Sequence, residues 1–177
     1  MPPFSINGMR KIVAVVGTAE CSPEAPVWRQ AYQLGAQLVA SGFRVLTGGL
    51  GGVMEAALAG AKSAEAYREG DTIAILPSFD PAAANPYADI VIATGADVHM
   101  NGIVASADAV VAVGGGAGTL CEIAMAWERG RPVLAFGALD GSSKLAAALA
   151  DAVGCRLDPV CTAQEAAAAL AQIWEDT

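Results

Sequence analysis

Histidine is almost missing from this chain: its 177 residues hold one, His99. A His-rich metal centre or a Ser-His-Asp triad has little to build on, and no protein-ligated metal is expected. Cysteine is sparse, and Cys21, Cys121, Cys155 and Cys161 show no C-x-x-C spacing. They read as buried or incidental thiols in a reducing compartment. Charged residues make up only 16% of the chain against 54% hydrophobic, which excludes disorder. Positive charge is the scarcer sign, and the net charge is −8. The strongest basic groupings, Arg10-Lys11 and Arg129 with Arg131, are too small to track a polyphosphate backbone. Neither nucleic acid nor an anionic membrane is therefore an expected partner. No apolar run approaches transmembrane length. The run Ile12-Val13-Ala14-Val15-Val16 behind Arg10-Lys11 is too short for a signal-peptide core, and Glu20 spoils the cleavage pattern before Cys21. The expected setting is the cytoplasm. Two nucleotide fingerprints are also absent. The first strand ends in Gly17-Thr18-Ala19-Glu20-Cys21 with no G-x-G-x-x-G, which disfavours a dehydrogenase. No G-x-x-x-x-G-K-[ST] occurs, which excludes a P-loop ATPase.

What the chain does have is two glycine clusters, each leading from an apolar run into a helix-like segment. One is Thr47-Gly48-Gly49-Leu50-Gly51-Gly52-Val53-Met54-Glu55. The other, Gly114-Gly115-Gly116-Ala117-Gly118-Thr119-Leu120-Cys121-Glu122, directly follows Ala109-Val110-Val111-Ala112-Val113. A strand that turns sharply into a helix aims several unpaired N–H groups at one point, and the helix dipole adds partial positive charge there. Without Cβ atoms an anion can approach that backbone closely. Two such turns point to a small phosphorylated ligand.

The rest of the chain alternates. Apolar runs at 12–17, 43–47, 71–76, 89–93, 109–113 and 133–136 read as strands, most of them as buried parallel strands. Helical spacing is expected from Pro23 or Pro26 to Gly42, then at 53–67, 100–107, 119–128 and 144–153. Ser142 or Ser143 is the expected cap of the fifth of these. Thr162-Ala163-Gln164-Glu165 is a capping box opening the last helix. This order predicts an α/β fold, a three-layer doubly wound parallel sheet of Rossmann-like type, in one domain over residues 1–177. In such a sheet ligands bind beyond the carboxyl ends of the strands, where strand order reverses. Gly17-Thr18, Gly48, Gly49, Gly51 and Gly52, Thr94-Gly95, and the run from Gly114 to Thr119 all fall at carboxyl ends. They are expected to converge on one crevice.

The second cluster resembles the P-G-G-x-G-T-x-x-E hallmark of the LOG-like family, with Gly114 in place of the proline. The first is similar to the family's G-G-x-x-G-L-M-G segment, and Leu139-Asp140-Gly141 to a downstream segment. The likeness runs from the first strand to Gly154. The family's best-studied members are phosphoribohydrolases that release the base from nucleoside 5′-monophosphates. The G-G-G-x-G-T-L-x-E form is similar to a bacterial branch and to molybdenum-cofactor carrier proteins. The lysine-decarboxylase label under which the family is often catalogued has no support, since no lysine near the glycine clusters is set to form a Schiff base.

The resemblance implies a phosphate on the N–H groups of Gly115, Gly116, Ala117, Gly118 and Thr119, with the Thr119 hydroxyl adding a bond. Glu122 would face the ribose or the glycosidic bond, where a carboxylate can stabilise an oxocarbenium-like transition state or activate water. The family pairs this glutamate with an arginine on the preceding helix. Here His99 falls at that place, and residues 94–106 contain no arginine. A histidine supplies part-time charge but no rigid fork, so binding rests on the backbone cradle. The implied function is capture of an AMP-like nucleoside monophosphate or related phosphorylated ligand, with N-glycosidic hydrolysis. The alternative is a non-catalytic carrier or sensor for a nucleotide or a pterin phosphate such as molybdenum cofactor. No resident cofactor is expected, and the family implies a homo-oligomer, a dimer or larger.

Blander readings stand beside these. The glycines serve tight turns and packing, Glu122 favours a helix dipole from the first turn, and His99 is a loop histidine without special duty. Thr18 is loop-exposed, and Met100 fills the core.

Overall fold

The computed structural model of the chain describes residues 5–6, 9–137 and 141–175. A short hairpin pairs β1 (Ser5–Ile6) antiparallel with β2 (Met9–Arg10). Seven further strands form one sheet: β3 (Ile12–Gly17), β4 (Arg44–Thr47), β5 (Thr72–Leu76), β6 (Ile90–Ala93), β7 (Ala109–Val113), β8 (Val133–Phe136) and β9 (Asp158–Val160). Their order is β6-β5-β4-β3-β7-β8-β9 and every pairing is parallel. The chain builds outward from β3 to the β6 edge, then returns to lay β7 against the other side of β3. Strand order reverses between β3 and β7, as the doubly wound reading requires.

Apolar alternation sorts the helices into two layers. Val13 and Val15 pack on a cluster shared with α1 (Pro26–Ala40), α2 (Val53–Ser63) and α6 (Ala163–Glu175). Ala14 and Val16, one residue out of phase, face α3 (Asn101–Val104), α4 (Ala117–Glu128) and α5 (Gly141–Ala150). Buried on both sides, β5, β7 and β8 show the continuous apolar runs of central parallel strands. Helices α1 and α2 cross at backbone contact. A Cβ on Gly35 would lie 1.9 Å from the Ala57 carbonyl oxygen, and one on Gly60 equally close to that of Tyr32.

Basic side chains gather at the amino ends of the strands. Asp71, Asp89 and Asp108 stand one residue before β5, β6 and β7. They pair with Arg10, with Lys62 at 2.9 Å and with Lys11 at 3.1 Å respectively. Asp89 also accepts from the Tyr67 hydroxyl at 2.8 Å and the Gly70 amide at 3.0 Å. These bonds to the ionised form outweigh the cost of its burial and hold its carboxyl at about 2.

Several boundaries differ from the sequence expectations. The helix expected over 53–67 stops at Ser63, because the chain turns extended at Ala64 and Tyr67 bends back to Asp89. The segment 100–107 is a 3-10 turn, Asp97–Met100, followed by the single turn of α3. Helix α4 starts two residues early, at Ala117. Helix α5 spans Gly141–Ala150 with a 3-10 turn after it, and Ser142 and Ser143 lie buried inside its first turn instead of capping it. The capping box forms as expected: the Glu165 amide donates to Thr162 Oγ1 at 3.1 Å, and Glu165 Oε2 accepts from the Thr162 amide at 3.2 Å. The β1–β2 hairpin and β9 carry no period-2 run and were not expected.

Candidate functional site

The crevice lies at the reversal of strand order, built on the loops after β3 and β7. Gly17 closes β3. A Cβ there would meet the Val113 carbonyl oxygen at 2.2 Å and Val53 Cγ1 at 2.9 Å, so only glycine lets β3, β7 and α2 converge. Thr18 then links three elements. Its amide donates to Val113 O at 3.3 Å, its carbonyl accepts from the Val53 amide at 2.9 Å, and its Oγ1 accepts from the Gly115 amide at 3.2 Å.

After β7 the chain reverses through Gly114 and Gly115, at φ of 64° and 104°. It enters α4 from Gly116, the helix N-cap, which has extended backbone and no side-chain cap. The Leu120 amide returns to the Gly116 carbonyl at 3.1 Å. Among the described residues nothing accepts from the amides of Gly116, Ala117, Gly118 or Thr119. The loop is braced from behind: the Ser142 amide donates to Gly115 O at 3.0 Å, and the Ser142 hydroxyl donates to Gly116 O.

These amides open on a crevice of about 650 Å³, a size that suits a small organic ligand. Gly115, Gly116, Gly118 and Thr119 line one side. Leu50, Met54, Pro77, Val98 and Met100 form an apolar wall. Glu122 closes the floor. It is only 8% exposed, and nothing among the described residues bonds to its carboxyl group. Burial alone pushes that group up to about 8, so it is predominantly neutral at pH 7. Among the described residues Asp97 is the other acid on the lining, and neither Lys, Arg nor His contributes to it.

Eight of the sequence-predicted positions meet here: Gly17, Thr18 and Gly48 from the first two loops, and Gly115, Gly116, Gly118, Thr119 and Glu122 from the third. The Thr119 hydroxyl is not aimed at a ligand as expected. It is buried and donates to Gly17 O at 3.3 Å, tying the first turn of α4 to β3. Gly49, Gly51 and Gly52 stand behind the lining. Gly49 packs its α-carbon against Ala74 and Leu76, and a Cβ on Gly52 would strike Thr18 O at 2.3 Å. Gly114 and Ala117 shape the turn without lining the crevice. Thr94 and Gly95 also stay outside it: Thr94 Oγ1 donates to Leu76 O at 2.6 Å, and Gly95 lies against the Phe79 ring. His99 is exposed and outside the lining, although Asp97, Val98, Met100 and Asn101 around it belong to it. The Asp97–Met100 turn presents those neighbours inward, a shape that no periodicity in the sequence signals. Leu139 and Asp140 lie outside the described residues. Among the described residues no cluster of His, Cys, Asp and Glu could hold a metal, and no helix is long and apolar enough to cross a membrane.

A fully parallel seven-stranded sheet with unpaired amides at the point where strand order reverses places this chain in the doubly wound α/β class. The chain belongs to the SLOG cluster4 family, whose model matches residues 10–170, in keeping with its LOG-like glycine motifs. A protein of Archaeoglobus fulgidus with no assigned function is 43% identical over 122 residues, covering 68% of this chain and 76% of its own. Among solved structures, the molybdenum cofactor binding protein of Rippkaea orientalis is 33% identical with a TM-score of 0.81. That match covers 93% of this chain and 98% of the other. The molybdenum cofactor carrier protein of Chlamydomonas reinhardtii is 31% identical at a TM-score of 0.76, again covering 93% and 98%. The DNA processing protein A of Helicobacter pylori, at 17% identity and a TM-score of 0.68, shares the fold alone.

Proposed function

We propose that this protein is a carrier that holds a phosphorylated pterin of the molybdenum cofactor type, with the ligand's phosphate on the α4 amides. One observation carries the reading: four consecutive N–H groups, at Gly116, Ala117, Gly118 and Thr119, have no acceptor among the described residues, and Gly116, Gly118 and Thr119 line the crevice. A dianion there gains charge-assisted hydrogen bonds and the helix dipole together. The apolar wall of Leu50, Met54, Pro77, Val98 and Met100 offers a flat heterocycle a surface to lie on. The likeness to molybdenum cofactor binding and carrier proteins over nearly the whole chain supports the same ligand class.

Hydrolysis of a nucleoside monophosphate is the second reading, favoured by a protonated Glu122 in the crevice, the form a general acid needs. Against it, no cation among the described residues lines the crevice where the family places an arginine. Incubation with molybdopterin and with AMP separates the two. Thermal stabilisation by the pterin phosphate with AMP recovered intact supports the carrier. Free adenine and ribose 5-phosphate from AMP, abolished in Glu122→Ala, would establish the enzyme. At a hundred times Kd a ligand adds about 2.7 kcal/mol of stability, which raises Tm by roughly 5–10 °C in a chain of this size. No stabilisation by either compound overturns both readings.

A further inference from the structure

The amide cradle and the buried acid near it belong to one crevice, where a phosphate on the amides and an ionised Glu122 would set two negative charges close together. Glu122 follows Thr119 by three residues, about one helical turn along α4 from the unpaired amides. Its carboxyl group is buried, bonds to nothing among the described residues and borders the crevice.

Among the described residues no counter-charge stands ready for it. β3, β7, β8 and α3, which surround α4, contribute no titratable side chain. α5 contributes only Lys144, and α2 across the crevice carries Glu55 and Lys62. Lys62 is held by Asp89 on the amino-end side of the sheet. The Asp97–Met100 turn brings Asp97 and His99, of which only Asp97 lines the crevice, and Glu20 on the β3–α1 loop is exposed. α4 itself adds Glu128 and the exposed Cys121. Burial alone, and no charge, accounts for the raised affinity of Glu122 for its proton.

Building on the phosphate-carrier reading above, we propose that Glu122 enters the ligand complex as a neutral carboxylic acid. Its hydroxyl keeps its proton and donates a hydrogen bond to an acceptor on the bound ligand, so that anion capture by the α4 amides is coupled to one proton. A neutral acid gives the crevice a directional donor, which a floor of apolar side chains lacks. Once ionised, the same group is an uncompensated negative charge one helical turn from the phosphate. Deprotonation then expels the ligand, and any partner that solvates or basifies the crevice floor discharges the carrier without competing for the amides.

Two measurements on the full chain test this. Infrared difference spectra of the ligand-free protein read the carboxyl directly. A protonated-carboxyl C=O band is expected at pH 7, lost with a midpoint near pH 8 and absent in Glu122→Gln. Calorimetric titration with molybdopterin and with AMP between pH 7 and 9.5 reads the coupling. Phosphate monoesters are already largely dianionic across that range, since their second pKa is about 6. One coupled proton makes affinity fall approximately tenfold per pH unit above the midpoint in the wild type. Glu122→Gln, which keeps an N–H donor, is expected to bind with no such dependence. The infrared band and the wild-type isotherms need no variant, so a Glu122→Gln chain that fails to fold leaves the test intact. Absence of the band at pH 7 overturns the proposal, as does wild-type affinity that is unchanged from pH 7 to 9.5. If the band is present but neither probe binds, the phosphate-carrier reading fails and the coupling falls with it.

Discussion

Gly116→Asp separates stability from binding in opposite directions. Gly116 is the N-cap of α4, its φ of −116° and extended ψ suit any residue, and a Cβ built there meets nothing within 4 Å. Aspartate is among the preferred N-caps, because its carboxylate accepts from the second or third amide of the helix. Relative to glycine that is worth a few tenths of a kcal/mol, and a negative charge at the dipole's positive end adds about 0.3–1 kcal/mol. The variant should therefore gain roughly 0.5–1 kcal/mol, a Tm rise of about 1–4 °C. Those same amides are the proposed phosphate cradle. A carboxylate about 5 Å from the phosphate site, at an effective dielectric near 20, opposes each ligand charge by about 3 kcal/mol, or about a hundredfold in Kd. Circular-dichroism melts and calorimetric titration with molybdopterin and AMP read the two effects. Wild-type affinity in a more stable Gly116→Asp protein would refute the assignment of these amides to the ligand.

Gly115→Ala is the contrasting substitution. With φ at 104° and Thr119 Oγ1 2.4 Å from the new Cβ, it should lower stability by roughly 2–5 kcal/mol, seen as a Tm drop of several degrees. Gly35→Ala forces a methyl into the Ala57 carbonyl at the α1–α2 crossing. It should cost about 3 kcal/mol or more, measured by urea denaturation, while sparing the crevice. Asp89 has a folded pKa near 2 against an ordinary 3.8, so its stabilisation is complete above pH 4 and is lost as pH falls from there to 2. That lowered pKa corresponds to at most about 2 kcal/mol, and Asp89→Asn should flatten the acid limb of a stability-versus-pH curve in that window.

Sequence patterns reveal most of the fold because parallel strands buried on both faces are written as uninterrupted apolar runs. Six of the seven sheet strands were recognisable that way. β9 was not, since Asp158-Pro159-Val160 is short, at the edge and interrupted by a proline. The α1–α2 crossing is not written in the sequence either: Gly35 and Gly60 sit within helical periods, and only the backbone-to-backbone approach explains them. At the crevice, the glycine cluster after β7 located the unpaired amides because turn and helix start are local chemistry. Side-chain direction is not local. Thr119 turns inward to Gly17, and His99 stays outside the crevice lining while Val98 and Met100 on either side belong to it. Nor does sequence show that the Glu122 carboxyl has no bonding partner among the described residues, which depends on what several separate elements bring to the crevice floor.

The central claim is that an anionic group docks on the main chain at the start of α4. Its most direct test is the amide ¹H–¹⁵N spectrum of the assigned protein, titrated with molybdopterin and then with AMP. The account predicts that Gly116, Ala117, Gly118 and Thr119 show the largest downfield proton shifts, saturating with the bound fraction. Saturable binding that leaves those four resonances in place, with its shifts gathered elsewhere on the molecule, would contradict it.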